Sequence, residues 1–143
     1  MRVKDCMGIK NVVQATPETN LQQIANLMNQ NHVGCIPICQ EQHVVGFVTD
    51  RDIVTRAIAN NLSCTNTKVS DIMNTNVIKT TPDTHIDEAL DTMKRNQIRR
   101  LPVIENNKIV GILSMGDIAQ NLDEEDVGET LGCICDEDEY HFN

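Results

Sequence analysis

Gly46-Phe47-Val48-Thr49-Asp50-Arg51-Asp52 returns 65 positions later as Gly111-Ile112-Leu113-Ser114-Met115-Gly116-Asp117. Each copy is a glycine, two apolar residues, a hydroxyl residue, two variable positions and an aspartate. An apolar strand end running into Ser/Thr-x-x-Asp predicts the start of a helix, with the hydroxyl as N-cap and the carboxylate reaching back from the third helical position. The same geometry suits a ligand. Free N–H groups and the positive end of the helix dipole favour an anion, and an aspartate beside them can accept from a sugar diol. Two copies in register ask for one explanation of both.

Working outward, the offset of 65 sets Thr16-Pro17 on Thr81-Pro82, Leu21 on Ile86, Met28 on Met93 and Asn31 on Asn96. It also sets Val33-Gly34-Cys35-Ile36-Pro37-Ile38 on Ile98-Arg99-Arg100-Leu101-Pro102-Val103. The leaders Val3-Lys4-Asp5-Cys6-Met7 and Val69-Ser70-Asp71-Ile72-Met73 match at 66, one residue having slipped between them. A duplicated unit of this length organises the chain. Each copy reads alike. A short extended piece (residues 12–15 or 77–80) leads into Thr-Pro. A helical stripe follows, Leu21, Ile24, Ala25, Met28 or Ile86, Ala89, Leu90, Met93, with Thr19 or Thr84 as expected cap. Two β-rich runs joined by a polar turn come next, residues 35–39 and 44–48 or 101–104 and 108–113. Pro37 and Pro102 mark an edge or irregular strand. Second helices are expected from Thr49 through Ile58 and from Ser114 through Leu122, with residues 60–67 as the polar connector. The fold class is α/β (α+β), β-α-β-β-α twice, with the halves packed in pseudo-twofold symmetry.

Ile98-Arg99-Arg100-Leu101-Pro102-Val103, Gly46-Phe47-Val48-Thr49-Asp50-Arg51-Asp52 and Val69-Ser70-Asp71-Ile72-Met73 resemble a tandem pair of CBS domains, the module named after cystathionine β-synthase. Several short motifs occur in order, twice, at consistent spacing. The resemblance runs from about Met1 to Leu122 and is strongest to small stand-alone bacterial CBS-pair proteins. It implies repeat 1 over 1–65, repeat 2 over 66–122, and an acidic tail over 123–143 outside the match.

The resemblance also implies a non-enzymatic regulatory module. It would bind an adenine nucleotide (AMP, ADP or ATP), NAD, S-adenosylmethionine or another adenosyl ligand in the cleft between repeats. Asp52 and Asp117 would accept from ribose hydroxyls, with Thr49 and Ser114 near the phosphates. Arg100 and Arg99, just before Leu101-Pro102, would face a phosphate, where the other repeat has Gly34 and Cys35; a guanidinium suits that role because its planar fork donates two bonds at once. Arg51 is a second candidate. Val12, Val13, Val77 and Ile78 would cover the purine. In the crossed arrangement of the family, Thr49 and Asp52 go with Arg99, Arg100, Val77 and Ile78, while Ser114 and Asp117 go with Gly34, Cys35, Val12 and Val13. Ordinary capping, surface cations and core strand residues are the competing readings of the same positions. No cofactor is required, and the expected partners are a second copy and an unidentified regulated protein.

Charge narrows the classes. The formal net charge is −9, and nine of the 21 acidic residues lie from Asp123 onward, where Lys and Arg are absent. Twelve acidic and 12 basic residues remain, so the body is neutral and lacks the basic footprint of a nucleic-acid binder. The tail's charge run and lack of a counterpart in the repeat predict that the fold does without it. With Phe47, Tyr140 and Phe142 the only aromatics, the core is aliphatic.

Cys6, Cys35 and Cys39 stand at apolar positions and read as small core residues. The N-terminus shows no apolar secretory segment and no run reaches the roughly 20 apolar residues of a membrane span. The expectation is a soluble, cytoplasmic protein with reduced thiols. His32, His43 and His85 fall at turns or helix starts. Cys133-x-Cys135 with His141 supports an alternative as a metal or redox protein, although a paired Cys-x-x-Cys arrangement is missing. A ligand-free dimerisation scaffold is the other alternative.

Overall fold

The computed structural model describes residues 1–8, 12–122 and 124–135, apart from the side chain of Asp126. The chain divides into two compact units: unit 1 is Met1–Val12 with Ile78–Asn143, and unit 2 is Val13–Val77. These are not the sequence repeats. The leader that precedes each repeat belongs to the unit built on the other.

In unit 2, helix α2 (Leu21–Asn31) packs on a hairpin of β1 (Cys35–Gln40) and β2 (His43–Thr49). The hairpin pairs Cys35 with Thr49, Pro37 with Phe47 and Ile38 with Gly46, then slips at Ile38/Cys39 so that Cys39 faces Val44. Leu21, Ile24 and Met28 on one face of the helix bury against Ile36, Ile38 and Val48. Positions three and four apart share a helix face, and alternate strand residues share a sheet face.

Unit 1 repeats this at the offset of 65. Its leader helix is α1 (Val3–Cys6), its long helix is α4 (Ile86–Asn96), and its hairpin is β3 (Arg100–Glu105) with β4 (Lys108–Ser114). The slip recurs between Val103 and Ile104. Both hairpin turns hold two residues at positive φ, Glu41 and Gln42 in one, Asn106 and Asn107 in the other, the geometry that lets two-residue loops follow strand twist.

The expected first strands contribute little more than one parallel bridge each. The Ala15 N–H donates to Pro37 O (3.1 Å) and Ala15 O accepts from Cys39 N (2.8 Å); Thr80 does the same with Pro102 O and Ile104 N (2.9 and 2.8 Å). Pro37 and Pro102 thus sit inside the strands, and their carbonyls serve the neighbour. The helix caps are also one residue later than expected. Asn20 caps α2, its side chain accepting from Gln23 N, and His85 occupies the N-cap of α4. Thr19 and Thr84 instead close the preceding turns, the hydroxyls lying 3.2 Å from Thr16 Oγ1 and 2.7 Å from Thr81 Oγ1.

The leaders explain the glycines of the repeated motif. Asn74 exchanges two hydrogen bonds with Phe47 (2.9 and 2.8 Å), and the Gly8 N–H donates to Ile112 O at 3.1 Å. A Cβ on Gly46 would stand 2.8 Å from Met73 Sδ and 3.0 Å from Asn74 O; one on Gly111 would stand 2.8 Å from Gly8 O. Only a glycine lets the leader come that close.

After the motif the units diverge. In unit 2, α3 (Asp50–Asp52) widens into a π turn over Ile53–Ala57 and tightens to a 3-10 turn over Ile58–Asn60. In unit 1, α5 (Met115–Ala119) stops early and is followed by α6 (Glu124–Ile134). This helix overturns the expectation that the fold does without residues after Leu122. Ile134 is 2 % exposed and belongs to the unit 1 core with Leu90, Met93 and Met115, and Val127 packs beside it. Val127, Thr130 and Ile134, spaced i, i+3, i+7, form one inward face of α6, which packs on α4 and α5, while Glu124, Glu125 and Glu129 stay exposed. Tyr140, His141 and Phe142 lie outside the described residues.

Candidate functional site

Both Ser/Thr-x-x-Asp motifs are closed capping boxes. In unit 2 the Thr49 hydroxyl accepts from Asp52 N (3.1 Å) and Asp52 Oδ2 accepts from Thr49 N (2.9 Å). In unit 1 the distances are the same for Ser114 with Asp117, and the Ser114 hydroxyl also lies 2.9 Å from Asp117 Oδ2, to which it can donate. Capping is therefore realised at both positions. It uses one carboxylate oxygen and leaves the other to be decided by its surroundings.

Those surroundings differ. Arg56, one turn after Asp52, brings its Nε to 3.7 Å from Asp52 Oδ1 and donates from Nη1 to Ile72 O at 3.0 Å. Its counterpart is Asn121, which donates to the backbone oxygen of Asp117 at 2.8 Å. Among the described residues nothing bonds to Asp117 Oδ1, so unit 1 presents an open acceptor where unit 2 has one shared with a cation. Arg56 escaped the sequence reading, although its i, i+4 spacing from Asp52 was the available signal.

Each unit brings the start of its first hairpin strand beside its cap. The Asp50 N–H donates to Gly34 O (2.9 Å) and Cys35 stands opposite Thr49. The Met115 N–H donates to Arg99 O (3.0 Å) and Arg100 stands opposite Ser114. Arg99 and Arg100, both exposed, thus lie along the chain that borders the Ser114–Asp117 cap. Arg51 is exposed, with its N–H donating to Asp50 Oδ1 at 2.8 Å. Thr49, Asp52, Ser114 and Asp117 are half-buried, as are Val12, Val13, Val77 and Ile78. Val13 packs against the unit 2 core and Ile78 against that of unit 1.

The six thiols fall into three sets, buried, half-buried (Cys35 and Cys64) and exposed. Cys6 and Cys39 are buried, which raises both thiols from the ordinary value of 9.0, with Asp5 and Asp117 adding to the effect at Cys6. Cys6 Sγ lies 3.1 Å from Met1 Sδ. Cys35, expected in the core, is half-buried at the hairpin start, and Cys133 and Cys135 are exposed. Among the described residues no group of three or more His, Cys, Asp and Glu side chains could hold a metal ion. His32, His43 and His85 are exposed, His32 as the left-handed C-cap of α2. No helix among the described residues is long and apolar enough to cross a membrane.

Comparison with known proteins gives a match to the CBS domain over residues 3–58 and again over 69–124. The CBS domain-containing protein YhcV of Bacillus subtilis is 37% identical over 130 residues, covering 90% of this chain and 91% of that protein. Among solved structures, Hypoxic Response Protein I with two coordinated zinc ions is 28% identical, with a TM-score of 0.77 over 86% of this chain and 100% of that one. The CBS domain pair of protein MJ0100 in complex with 5′-methylthioadenosine and S-adenosyl-L-methionine is 27% identical, with a TM-score of 0.73 over 84% of this chain and 94% of that one.

Proposed function

The chain belongs to the CBS-domain family, with two copies in tandem, and from that premise we propose that it is a regulatory module sensing an adenine nucleotide or another adenosyl compound. The observation that carries this is the pair of half-buried capping aspartates, above all Asp117, whose Oδ1 accepts nothing from the described residues while exposed Arg99 and Arg100 border the same cap, a grouping within unit 1 that differs from the crossed one with Thr49 and Asp52 that the resemblance implies. A diol on the carboxylate and an anion toward the helix start and guanidinium groups use complementary parts of the ligand. Val12, Val13, Val77 and Ile78 supply half-buried flat apolar surface suited to a purine. The adenosyl ligands of MJ0100 support the ligand class.

The module has no catalytic role in this reading and works by preferring one of two arrangements when occupied, which a partner protein reads. It acts as a cytoplasmic homodimer. Val54, Ile58 and Leu62, at 56%, 57% and 39% exposure, are large apolar side chains left in solvent beyond the unit 2 cap. A second copy presenting the same residues is the occupant we favour, because twofold contacts pair identical patches. Ile58→Asp should then sediment as monomer; a wild-type monomer at micromolar concentration would remove the dimer from the proposal.

Calorimetry with AMP, ATP and S-adenosylmethionine on wild type, Asp52→Ala and Asp117→Ala tests the ligand reading. A hydrogen bond to a charged group contributes about 1.5 to 3 kcal/mol, so each substitution should weaken its own site by about tenfold or more. If the wild type binds none of the panel, the ligand-free scaffold is the better description.

A further inference from the structure

Beyond the caps, two exposed thiols at the end of α6 stand unused by the nucleotide reading, although Arg99, which reaches one of them, is shared with it. The turn between α4 and β3 meets the end of α6, where Gln97 Nε2 donates to Cys133 O at 3.4 Å and Arg99 Nη2 donates to Cys135 Sγ at 3.6 Å. Ile134, buried between the two cysteines, anchors them, and the Cys135 N–H donates to Leu131 O at 3.0 Å. Both thiols face solvent, whereas Cys6 and Cys39 are buried. Among the described residues no carboxylate pairs with Arg99, while the nearby Lys94 is taken by Asp91 and Glu129 (3.2 and 3.8 Å). An unpaired planar guanidinium beside one of two exposed thiols is a receptor for a carboxylate that delivers a reactive group to that sulfur.

We propose that Cys135 is a covalent modification site for low-molecular-weight disulfides that carry carboxylates, with Arg99 positioning the reagent. The Cys135 thiol gives up its proton and its sulfur attacks one sulfur of the reagent. A Cys135–reagent S–S bond forms, the reagent's own S–S bond breaks, and the departing thiolate takes a proton from solvent. The protein sulfur is oxidised and the leaving half of the reagent is reduced, so no further oxidant is needed. Cys133, two residues away and also exposed, lacks the guanidinium, the Lys94 ammonium near it being paired with Asp91 and Glu129, and is the internal control. Arg99 is shared with the nucleotide reading, so the thiolation test is run without nucleotide and its outcome is read separately from nucleotide binding.

The test uses the full chain with oxidised glutathione, acid quenching and mass spectrometry, in Cys133→Ser and Cys135→Ser backgrounds. Cys135 should be thiolated about three- to tenfold faster than Cys133, the size expected of one exposed charge. The preference should vanish in Arg99→Ala, persist in part in Arg99→Lys, and disappear when cystamine, which carries amines instead of carboxylates, replaces glutathione. Circular dichroism of each variant verifies the fold. Equal rates at the two cysteines, or a preference untouched by Arg99→Ala, would overturn the proposal.

Discussion

The two units share a hairpin with the same register and the same slip, yet they finish their cores differently. Unit 1 closes its long helix with α6, placing Ile134 against Leu90, Met93 and Met115. At the position of Met115, unit 2 has Asp50, exposed, and it leaves Val54 and Ile58 in solvent. One pattern therefore supports two surfaces, one covered within the chain and one left exposed. The hairpin and cap are fixed by short-range chemistry common to both copies, whereas the cover depends on a segment that only one copy has.

The largest effect expected from this difference is at Ile134. Its replacement by Ala removes a fully buried branched side chain, which costs about 2 to 4 kcal/mol in such sites. Chain truncation after Leu122 should cost more, since it uncovers the α4 face as well. Hydrogen exchange should show lost protection in β3 and β4, with β1 and β2 changed much less. Equal loss in both hairpins would mean that the units do not respond separately.

The glycines sharpen the comparison at the sheet. At Gly111 the nearest atom to an added Cβ is a backbone oxygen, Gly8 O, which moves only if the leader moves. At Gly46 it is Met73 Sδ, the end of a flexible side chain, with Asn74 O at 3.0 Å behind it. Gly111→Ala is expected to lose about 1 to 3 kcal/mol, in the usual range of overpacking, and Gly46→Ala less. Denaturant midpoints of the two variants decide the order.

The repeat, the register of elements and both capping boxes were legible because they rest on spacings of a few residues: Thr49 to Asp52, Ser114 to Asp117, apolar positions three and four apart. The exchange of leaders was not. Nothing in Val3-Lys4-Asp5-Cys6-Met7 says which of two similar sheets it joins, because that choice is made by contacts far apart in sequence, such as Val3 with Thr84 and Gly8 with Ile112. Helix α6 was hidden by its acidic residues, although Val127, Leu131 and Ile134 carried a helical period. At the site, Asp52 and Asp117 read alike in sequence; Arg56 and Asn121, one turn beyond, make them different.

A smaller difference is expected at the caps themselves. Replacing a capping hydroxyl by Ala costs about 1 kcal/mol. Ser114 Oγ both accepts from Asp117 N and lies within bonding distance of Asp117 Oδ2, whereas Thr49 Oγ1 makes only the first of these contacts with its aspartate. Ser114→Ala should therefore be the more destabilising of the two by a few tenths of a kcal/mol. Chemical denaturation with both variants measured side by side checks the ranking.

The smallest effects belong to the latches that hold each leader to the Thr-Pro turn, and they differ in the pH at which they open. In unit 1, Lys4 Nζ lies 3.0 Å from Asp83 Oδ1, and its hydrogen bond and charge hold the Asp83 carboxyl below its ordinary value of 3.8. A depressed carboxyl stabilises the fold above the unfolded value, and that contribution is lost as pH falls through the folded one. In unit 2, Glu18 pairs with Lys68 and raises the ammonium above its ordinary 10.5. A raised ammonium stabilises the fold in full below the unfolded value, and that contribution is lost as pH rises through the folded one. Lys4→Gln should flatten the acid limb of the stability profile below about pH 4, and Glu18→Gln the alkaline limb above about pH 10, with both changes small because the pairs are exposed and screened by salt. Thermal melts across pH at low and high salt test this: the same limb altered in both variants would mean that the two latches are not the separate, unit-specific contacts drawn here.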